Sequence, residues 1–116
     1  LYTSISNYSV TSTVFLSGTG QGEVNPSGTG YSAGGNNLTN AGIAGTTTAF
    51  VDFADLTFPS VTLTAAGAAI YKSTGGGNEL VLVLDFGGSK TATNGDFTIS
   101  FPDPSTPSNA IISLTS

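Results

Sequence analysis

The side chains that could do chemistry in this chain are carboxylates and two lysines, since histidine, cysteine, methionine, tryptophan and arginine are all absent. Asp52, Asp55 and Glu23 could together offer oxygen ligands to a hard cation such as Ca²⁺. Paired carboxylates are also what glycoside hydrolases use. The alternating sequence around Asp52, however, predicts an outward strand position for it, and Asp55 is typical of a turn cap. We therefore predict no metal site and no catalytic residue.

Residues 28–33, GTGYSA, match the G-x-G-x-x-A form of a dinucleotide-binding fingerprint. Asp52 follows at about the distance at which that motif places its ribose-binding acid. The fingerprint works only where a strand delivers the glycines to the N-terminus of a helix. Here the segment GGNN at 34–37 follows instead. We therefore predict no cofactor.

The composition excludes several classes of function. Most side chains used for proton transfer, nucleophilic attack and soft-metal binding are missing, so we expect a protein that is not an enzyme. A formal net charge of −5 with only two cationic side chains argues against nucleic-acid binding. No run approaches the roughly 20 apolar residues of a membrane span, so we expect no membrane partner.

Thr, Ser and Gly make up 49 of the 116 residues, which favours strands and turns over helices. Six segments have strand-like alternation, β-prone residues or an apolar run: 1–16, 49–54, 61–66, 79–86, 97–101 and 111–114. The length is that of one domain. We predict an all-β fold, a single antiparallel β-sandwich of jelly-roll or immunoglobulin-like type over residues 1–116.

Local signals set the expected limits of these strands. Pro59 should separate the second segment from the third, because proline cannot donate to a ladder. Residues 68–71 could continue the third strand, with Gly67 as a bulge. Asn94-Gly95 predicts a tight turn. After it, residues 97–101 alternate so cleanly that Phe and Ile should point inward while Thr and Ser point outward.

The Gly-rich segment 18–45 is predicted to be mostly loop, and loops of this length are usually functional. Residues 80–84 are five consecutive apolar residues, so their side chains need cover on both faces of a strand. A second subunit could supply that cover, or the Gly-rich segment could fold back over its own domain. Possible subunit or capsid contacts are Tyr8, Tyr31, Leu38, Val81 and Val83. If exposed, Tyr2, Tyr8 and Tyr31 could instead line a carbohydrate groove.

A set of segments in fixed order resembles a widespread group of small virion structural proteins of tailed bacteriophages. These segments are LYTS at the start, then GEV, SGTGYSAGGNNLT, TTTAFVDFADLTF, VTLTAAGAAIYKS, LVLVLDFGGSKTATNGDFTISFP and finally AIISL. The resemblance covers nearly the whole chain and lies in the order of GYSAGG, DF, AAIY, DFGG and ISL as well as in composition.

The resemblance implies a structural role in the virion and supplies no catalytic residues. The leading expectation is a capsid decoration or cement protein that stabilises the head shell. Its partners would be the major capsid protein or other virion proteins, and it would act as a homo-oligomer or in many lattice-bound copies. The alternatives are a neck, tail or fibre component, and, from a different class, a carbohydrate-binding β-sandwich module.

Overall fold

The computed structural model describes residues 1–44, 48–103 and 110–115, and the fold is mostly β. The five strands are β1 (Asn40–Ala44), β2 (Thr48–Phe53), β3 (Leu56–Lys72), β4 (Glu79–Ile99) and β5 (Ile112–Thr115). One turn of 3-10 helix, Thr19–Gln21, is the only helical element in the described ranges. The prediction of a β-rich fold is confirmed.

The strands form two sheets. In the first, β2 lies between β1 and β5 and pairs antiparallel with both. The second is the pair β3–β4. Hydroxyl hydrogen bonds of 2.8 Å join Thr57 to Thr98 and Thr64 to Thr91. The residue numbers therefore rise along β3 while those of the facing residues in β4 fall. This order shows that the pair is antiparallel.

The chain groups into two compact units. Unit 1 contains Leu1–Gly35 and Pro59–Phe97, and unit 2 contains Asn36–Phe58 and Thr98–Ser116. Most of β3 and β4 belongs to unit 1, whereas β1, β2 and β5 belong to unit 2. The prediction of one sandwich domain over residues 1–116 stays a prediction.

The interior of unit 1 follows from the period-2 pattern of β3. Val61, Leu63 and Ala65 are buried, while Thr62 and Thr64 between them are exposed. Each large apolar side chain buried in this way contributes roughly 1.5 to 3 kcal/mol. The other buried apolar residues of unit 1 are Leu1, Tyr2, Val24, Tyr31, Ala68, Ala92 and Phe97.

The prediction of strands within residues 1–16 is wrong, because this segment forms no continuous strand. The segment forms only isolated bridges, from Tyr2 to Glu23 and Gly67 and from Val14 to Glu79. Between these bridges its hydroxyl side chains bond neighbouring backbone amides, as when Ser12 Oγ accepts from the Ser9 N–H at 2.9 Å. Such local bonds compete with a ladder, which explains why a β-prone composition gives no continuous strand.

The predicted boundaries at Pro59 and at Asn94-Gly95 are also wrong, because both lie inside continuous strands. Ser60 and Asn94 have positive φ, 54° and 50°, so the ladder is irregular there. The Ser60 N–H donates to Asp96 Oδ1 at 3.2 Å, and the Asn94 N–H donates to Thr62 Oγ1 at 2.9 Å. These bonds satisfy the backbone donors across the strands, so the irregular residues are held in the sheet rather than forming a turn.

The alternation predicted for residues 97–101 is confirmed. Phe97 is buried, Ile99 and Phe101 are half-buried, and Thr98 and Ser100 are exposed. The continuation of β3 through residues 68–71 is confirmed as well.

Gly67 lies where the interior of unit 1 leaves no room for a side chain. A Cβ added there would lie 2.5 Å from the Leu84 carbonyl oxygen and 2.6 Å from Ile5 Cγ2. We expect Gly67→Ala to lower the free energy of unfolding by about 1 to 3 kcal/mol, the usual cost of overpacking. Gly20→Ala is the matched control, because nothing lies within 4 Å of its added Cβ. Urea denaturation of both variants tests this, and equal stabilities would contradict it.

Candidate functional site

The most exposed apolar side chains of the β3–β4 sheet lie near the start of β4. Val81 is 51 % exposed, and Val83 is half-buried. Val14, which is 45 % exposed, forms a bridge opposite Glu79. Residues directly opposite each other share a face, so Val14 lies on the face of Glu79, Val81 and Val83. We call Val14, Val81 and Val83 the valine face.

Two carboxylates flank the valine face along β4. Glu79, Val81, Val83 and Asp85 alternate with Leu80, Leu82 and Leu84, and these three leucines are all half-buried. Glu79 and Asp85 are exposed, and Asp85 Oδ1 accepts a hydrogen bond of 2.8 Å from the Gly87 N–H. The face is therefore an apolar strip with an acidic residue at each end.

The other three predicted contact residues lie elsewhere. Tyr31 is only 3 % exposed, so it builds the interior of unit 1 and does not present its ring to a partner. Tyr8 is half-buried, and its hydroxyl accepts a 2.9 Å hydrogen bond from the Leu16 N–H. Leu38 is half-buried in unit 2. Of the five predicted residues, the structure therefore brings together only Val81 and Val83.

The tyrosines do not form an exposed carbohydrate platform. Tyr2 is fully buried, and its hydroxyl donates to the Leu16 carbonyl at 2.6 Å. Its ring meets Tyr8 edge to face, with 5.2 Å between centroids. Because Tyr2 and Tyr31 are both internal, an exposed stacking surface made by these tyrosines is excluded.

Glu23 forms a buried polar network with the Gly-rich segment of unit 1. Its Oε2 accepts from the Gly18 N–H at 2.7 Å. Its Oε1 accepts from the Gly34 N–H at 2.6 Å and from the Tyr31 hydroxyl at 3.0 Å. Tyr71 adds a bond from its hydroxyl to the Gly34 carbonyl at 3.0 Å. The carboxylate thus holds both ends of residues 18–34 together through charge-assisted hydrogen bonds.

A cleft of about 430 Å³ lies beside this network in unit 1. Its wall includes four apolar side chains, those of Phe15, Val24, Pro26 and Ala33. Glu23 also lines it, but both carboxylate oxygens already accept the hydrogen bonds described above. The carboxylate that lines the cleft therefore already bonds the Gly-rich segment, residues 18–34.

Burial changes the acidity of two tyrosines in unit 1. It raises the pKa of Tyr2 far above its ordinary value, and the hydrogen bond with Tyr8 raises it further. Burial likewise raises the pKa of Tyr31, with the nearby negative charge of Glu23 as the second cause. Both shifts favour the neutral phenol in the folded protein.

These pKa shifts predict alkaline destabilisation. A raised folded pKa gives stability that is complete below the unfolded pKa of about 10 and is lost as the pH rises further. Above that pH, each of the two tyrosines should lower the free energy of unfolding by up to about 1.4 kcal/mol per pH unit. Urea denaturation between pH 8 and pH 11.5 measures it, and Tyr31→Phe should give a shallower decline. A decline that is identical in Tyr2→Phe, Tyr31→Phe and the unaltered protein would contradict this.

Asp52 is buried and not outward as the sequence predicted. It is 0 % exposed, and Phe50 on the same side of β2 is buried too, while Ala49 is exposed. With a side-chain period of two, burying the aromatic Phe50 also turns Asp52 inward. Its Oδ1 accepts from the Phe53 N–H at 2.9 Å, and Oδ2 has no hydrogen-bond partner in the described part of the chain.

Asp55 does not complete a cation site. It is exposed between β2 and β3, where its Oδ1 accepts from the Phe101 N–H at 2.8 Å. Within residues 1–44, 48–103 and 110–115, no three acidic, histidine or cysteine side chains form a group that could hold a metal ion. Over the same residues, no helix is long and apolar enough to cross a bilayer.

Searches of protein-family models, of curated proteins and of solved structures find no match for this chain.

Two residues of the site region were missed by the sequence analysis. Val14 stands in a Ser/Thr-rich stretch with no strong alternation, and only its bridge to Glu79 places it beside the β4 valines. Glu23 was considered only as a cation ligand. A single Glu in a Gly-rich loop belongs to no alternating pattern that would predict its burial, although the nearby glycines supply accessible backbone N–H donors.

Proposed function

We propose that this chain is a non-enzymatic structural protein of a tailed-bacteriophage virion, most specifically a capsid decoration or cement protein. The observation that carries the proposal is the valine face, in which Val14 and Val81 are exposed and Val83 is half-buried. Exposed apolar groups of this kind mark contact surfaces more often than they mark catalytic sites. The sequence segments that resemble small virion proteins, in the same order along the chain, support a partner within the virion for this contact surface.

The proposed role is mechanical. A specific interface buries about 1,200 to 2,000 Å² in total, and a protein bound at many equivalent lattice positions gains from multivalency. Each bound copy would add interface area between shell subunits and oppose the outward pressure of packaged DNA. The proposal includes copies held side by side as a homo-oligomer on the shell.

The finer fold assignment belongs to the same proposal. An antiparallel β-sandwich of jelly-roll or immunoglobulin-like type would use the strands β1 to β5. Such a scaffold presents loops and strand faces to neighbours without a catalytic cavity.

Quantitative mass spectrometry of purified particles from the phage that encodes this chain tests the proposal. We expect the protein in a fixed ratio to the major capsid protein, and we expect particles lacking it to release DNA at lower temperature. A ratio of a few copies per particle would assign it to the neck, tail or fibre. Its absence from washed particles would overturn the virion role.

A further inference from the structure

The cleft of unit 1 combines apolar walls with one buried carboxylate. Its volume of about 430 Å³ lies in the range of small-molecule sites. Glu23, which is only 3 % exposed, lines it. Gly18 and Gly34 line it too, and their backbone N–H groups are two of the donors that bond the Glu23 side chain. The carboxylate therefore lies at the wall of the cleft, between two of its lining residues.

Glu23 can accept one more hydrogen bond. An ionised carboxylate offers about four lone-pair positions. Oε1 accepts from the Gly34 N–H and from the Tyr31 hydroxyl, whereas Oε2 accepts only from the Gly18 N–H. In the part of the chain that the structure describes, Oε2 has no second donor. A donor that enters the cleft could therefore bond Oε2 without displacing the Gly-rich segment.

The charge of Glu23 is not balanced by a cationic side chain. Lys72 and Lys90 are the two cationic side chains of the sequence, and both are exposed. Among the described residues, neither lysine forms an ion pair with Glu23. The Leu1 amino group reaches only the Tyr31 hydroxyl, at 2.8 Å, and burial lowers the pKa of that amino group to about 6. Buried charges are normally paired, so a cation in the cleft would balance the charge of Glu23.

The lining of the cleft favours a primary ammonium over other charged groups. An ammonium carries three N–H donors, and besides Glu23 the cleft is lined by Ser17 and Thr19, whose exposed hydroxyl oxygens can accept the other two. A guanidinium brings five donors, more than these three acceptors, and an anion would meet the charge of Glu23. Methylene groups would lie against the apolar side chains of the wall, which are Phe15, Val24, Pro26 and Ala33.

We propose that this cleft binds a primary ammonium group on a short alkyl chain, as in a small alkylamine or a lysine side chain. The ammonium would donate to Glu23 Oε2 and to the hydroxyl oxygens of Ser17 and Thr19. The alkyl chain would cover apolar surface of Phe15 and Val24. This inference goes beyond the proposed virion function and does not rest on it.

Three probes of similar size test the charge requirement: n-butylammonium, 1-butanol and butyrate. Amide NMR titration of the full chain with n-butylammonium should shift the signals of Gly18, Val24 and Gly34. 1-Butanol keeps the alkyl chain and one donor but has no charge, so it should bind about tenfold more weakly, because charge-assisted hydrogen bonds are the stronger ones. Butyrate should not shift these signals. Equal affinities for the ammonium and the alcohol, or no binding of the ammonium, would overturn the proposal.

A matched pair of variants locates the site. Ala33 is exposed and lines the cleft, so Ala33→Lys should place a tethered ammonium there and abolish binding of n-butylammonium. Ala54→Lys makes the same change at an exposed position of unit 2 and should leave the binding almost unaltered. An equal loss in both variants would show that only net charge matters, and no loss in Ala33→Lys would place the amine elsewhere. Either result contradicts the proposal.

Two further comparisons test specificity and the source of the ammonium. Shifts of equal size at the exposed carboxylates Glu79 and Asp85 would show a general attraction of amines to an acidic chain, which contradicts the proposal. N-acetyl-lysine N-methylamide is the last probe. If it binds as tightly as n-butylammonium, a lysine of a neighbouring protein fits the cleft, and if it is excluded, the ligand is a small free amine; both results support an ammonium site. A chain that ignores all the amines loses this site but keeps its virion function, which the particle measurement tests separately.

Discussion

Tyr2→Ala is expected to lower the free energy of unfolding by about 3 to 5 kcal/mol, the range of large-to-small aromatic substitutions in a core. Tyr2 is fully buried in unit 1, and its ring meets Tyr8 and Phe15 edge to face, with centroids 5.2 and 6.3 Å away. Its main chain also links Glu23 to Gly67 through two bridges. Domains of this size have only about 5 to 15 kcal/mol of total stability, so the variant should be close to unfolding.

Two further variants separate the ring from the hydroxyl. Tyr2→Phe keeps the ring but leaves the Leu16 carbonyl without its 2.6 Å donor, so we expect a loss of only about 1 kcal/mol. Val10→Ala is the surface control, because Val10 is fully exposed and should change stability by less than about 0.5 kcal/mol. Chemical denaturation ranks the three. A Tyr2→Ala loss no larger than that of Val10→Ala would show that the N-terminal segment is not part of the core.

Glu23→Ala is expected to cost about 3 kcal/mol or more, because it removes the acceptor of three hydrogen bonds at once. The Gly18 N–H, the Gly34 N–H and the Tyr31 hydroxyl would each lose the carboxylate that they bond at 2.6 to 3.0 Å. Glu23→Gln keeps the shape, but its one acceptor oxygen can serve only one of the two amides, and its NH₂ group would face the N–H of the other. It should recover only part of the loss.

Hydrogen exchange and denaturation together test this role. In Glu23→Ala the backbone amides of residues 18–34 should exchange faster, while those of β3 change less. Glu79→Ala, the loss of an exposed carboxylate on β4, is the control and should leave both measurements nearly unchanged. If Glu23→Ala has normal stability and exchange, the carboxylate does not hold the Gly-rich segment.

The sequence predicted well where one local pattern settles the answer. The alternation of β3 and of residues 97–101 determined which side chains are buried, because a one-residue slip would put Thr in the core and Phe in water. Prediction from the sequence failed where two local preferences compete. Asn94-Gly95 favours a turn by itself, but Asn94 lies within the long strand β4, and the Thr62 side chain of β3 accepts a hydrogen bond from its backbone N–H.

The candidate site was predictable in part for the same reason. Five consecutive apolar residues must place side chains on both faces of a strand, and that pointed to Val81 and Val83 directly. Tyr31 could not be assigned in this way, because it belongs to no alternating pattern and its hydroxyl bonds Glu23, eight residues earlier in the same Gly-rich segment. An added Cβ on neighbouring Gly30 would lie 3.5 Å from a Val61 side-chain carbon, which shows how closely the Gly-rich segment packs on β3.

The burial of Asp52 gives a similar lesson. The alternating sequence placed Asp52 and Phe50 on one face of the strand, and the prediction took that face to be the outward one. In the structure both Phe50 and Asp52 are buried, which is the arrangement expected when an aromatic side chain on a strand face is turned inward.

The central claim is that this chain is a virion structural protein that contacts a neighbouring protein through β4. Cryo-electron microscopy of the intact particle tests it most directly. The account predicts density for this chain at every equivalent position of the head lattice, with Val81 and Val83 against a neighbouring virion protein. A reconstruction with the chain on the head but with β4 facing solvent would contradict the docking account, and a particle without the chain would contradict the proposed function.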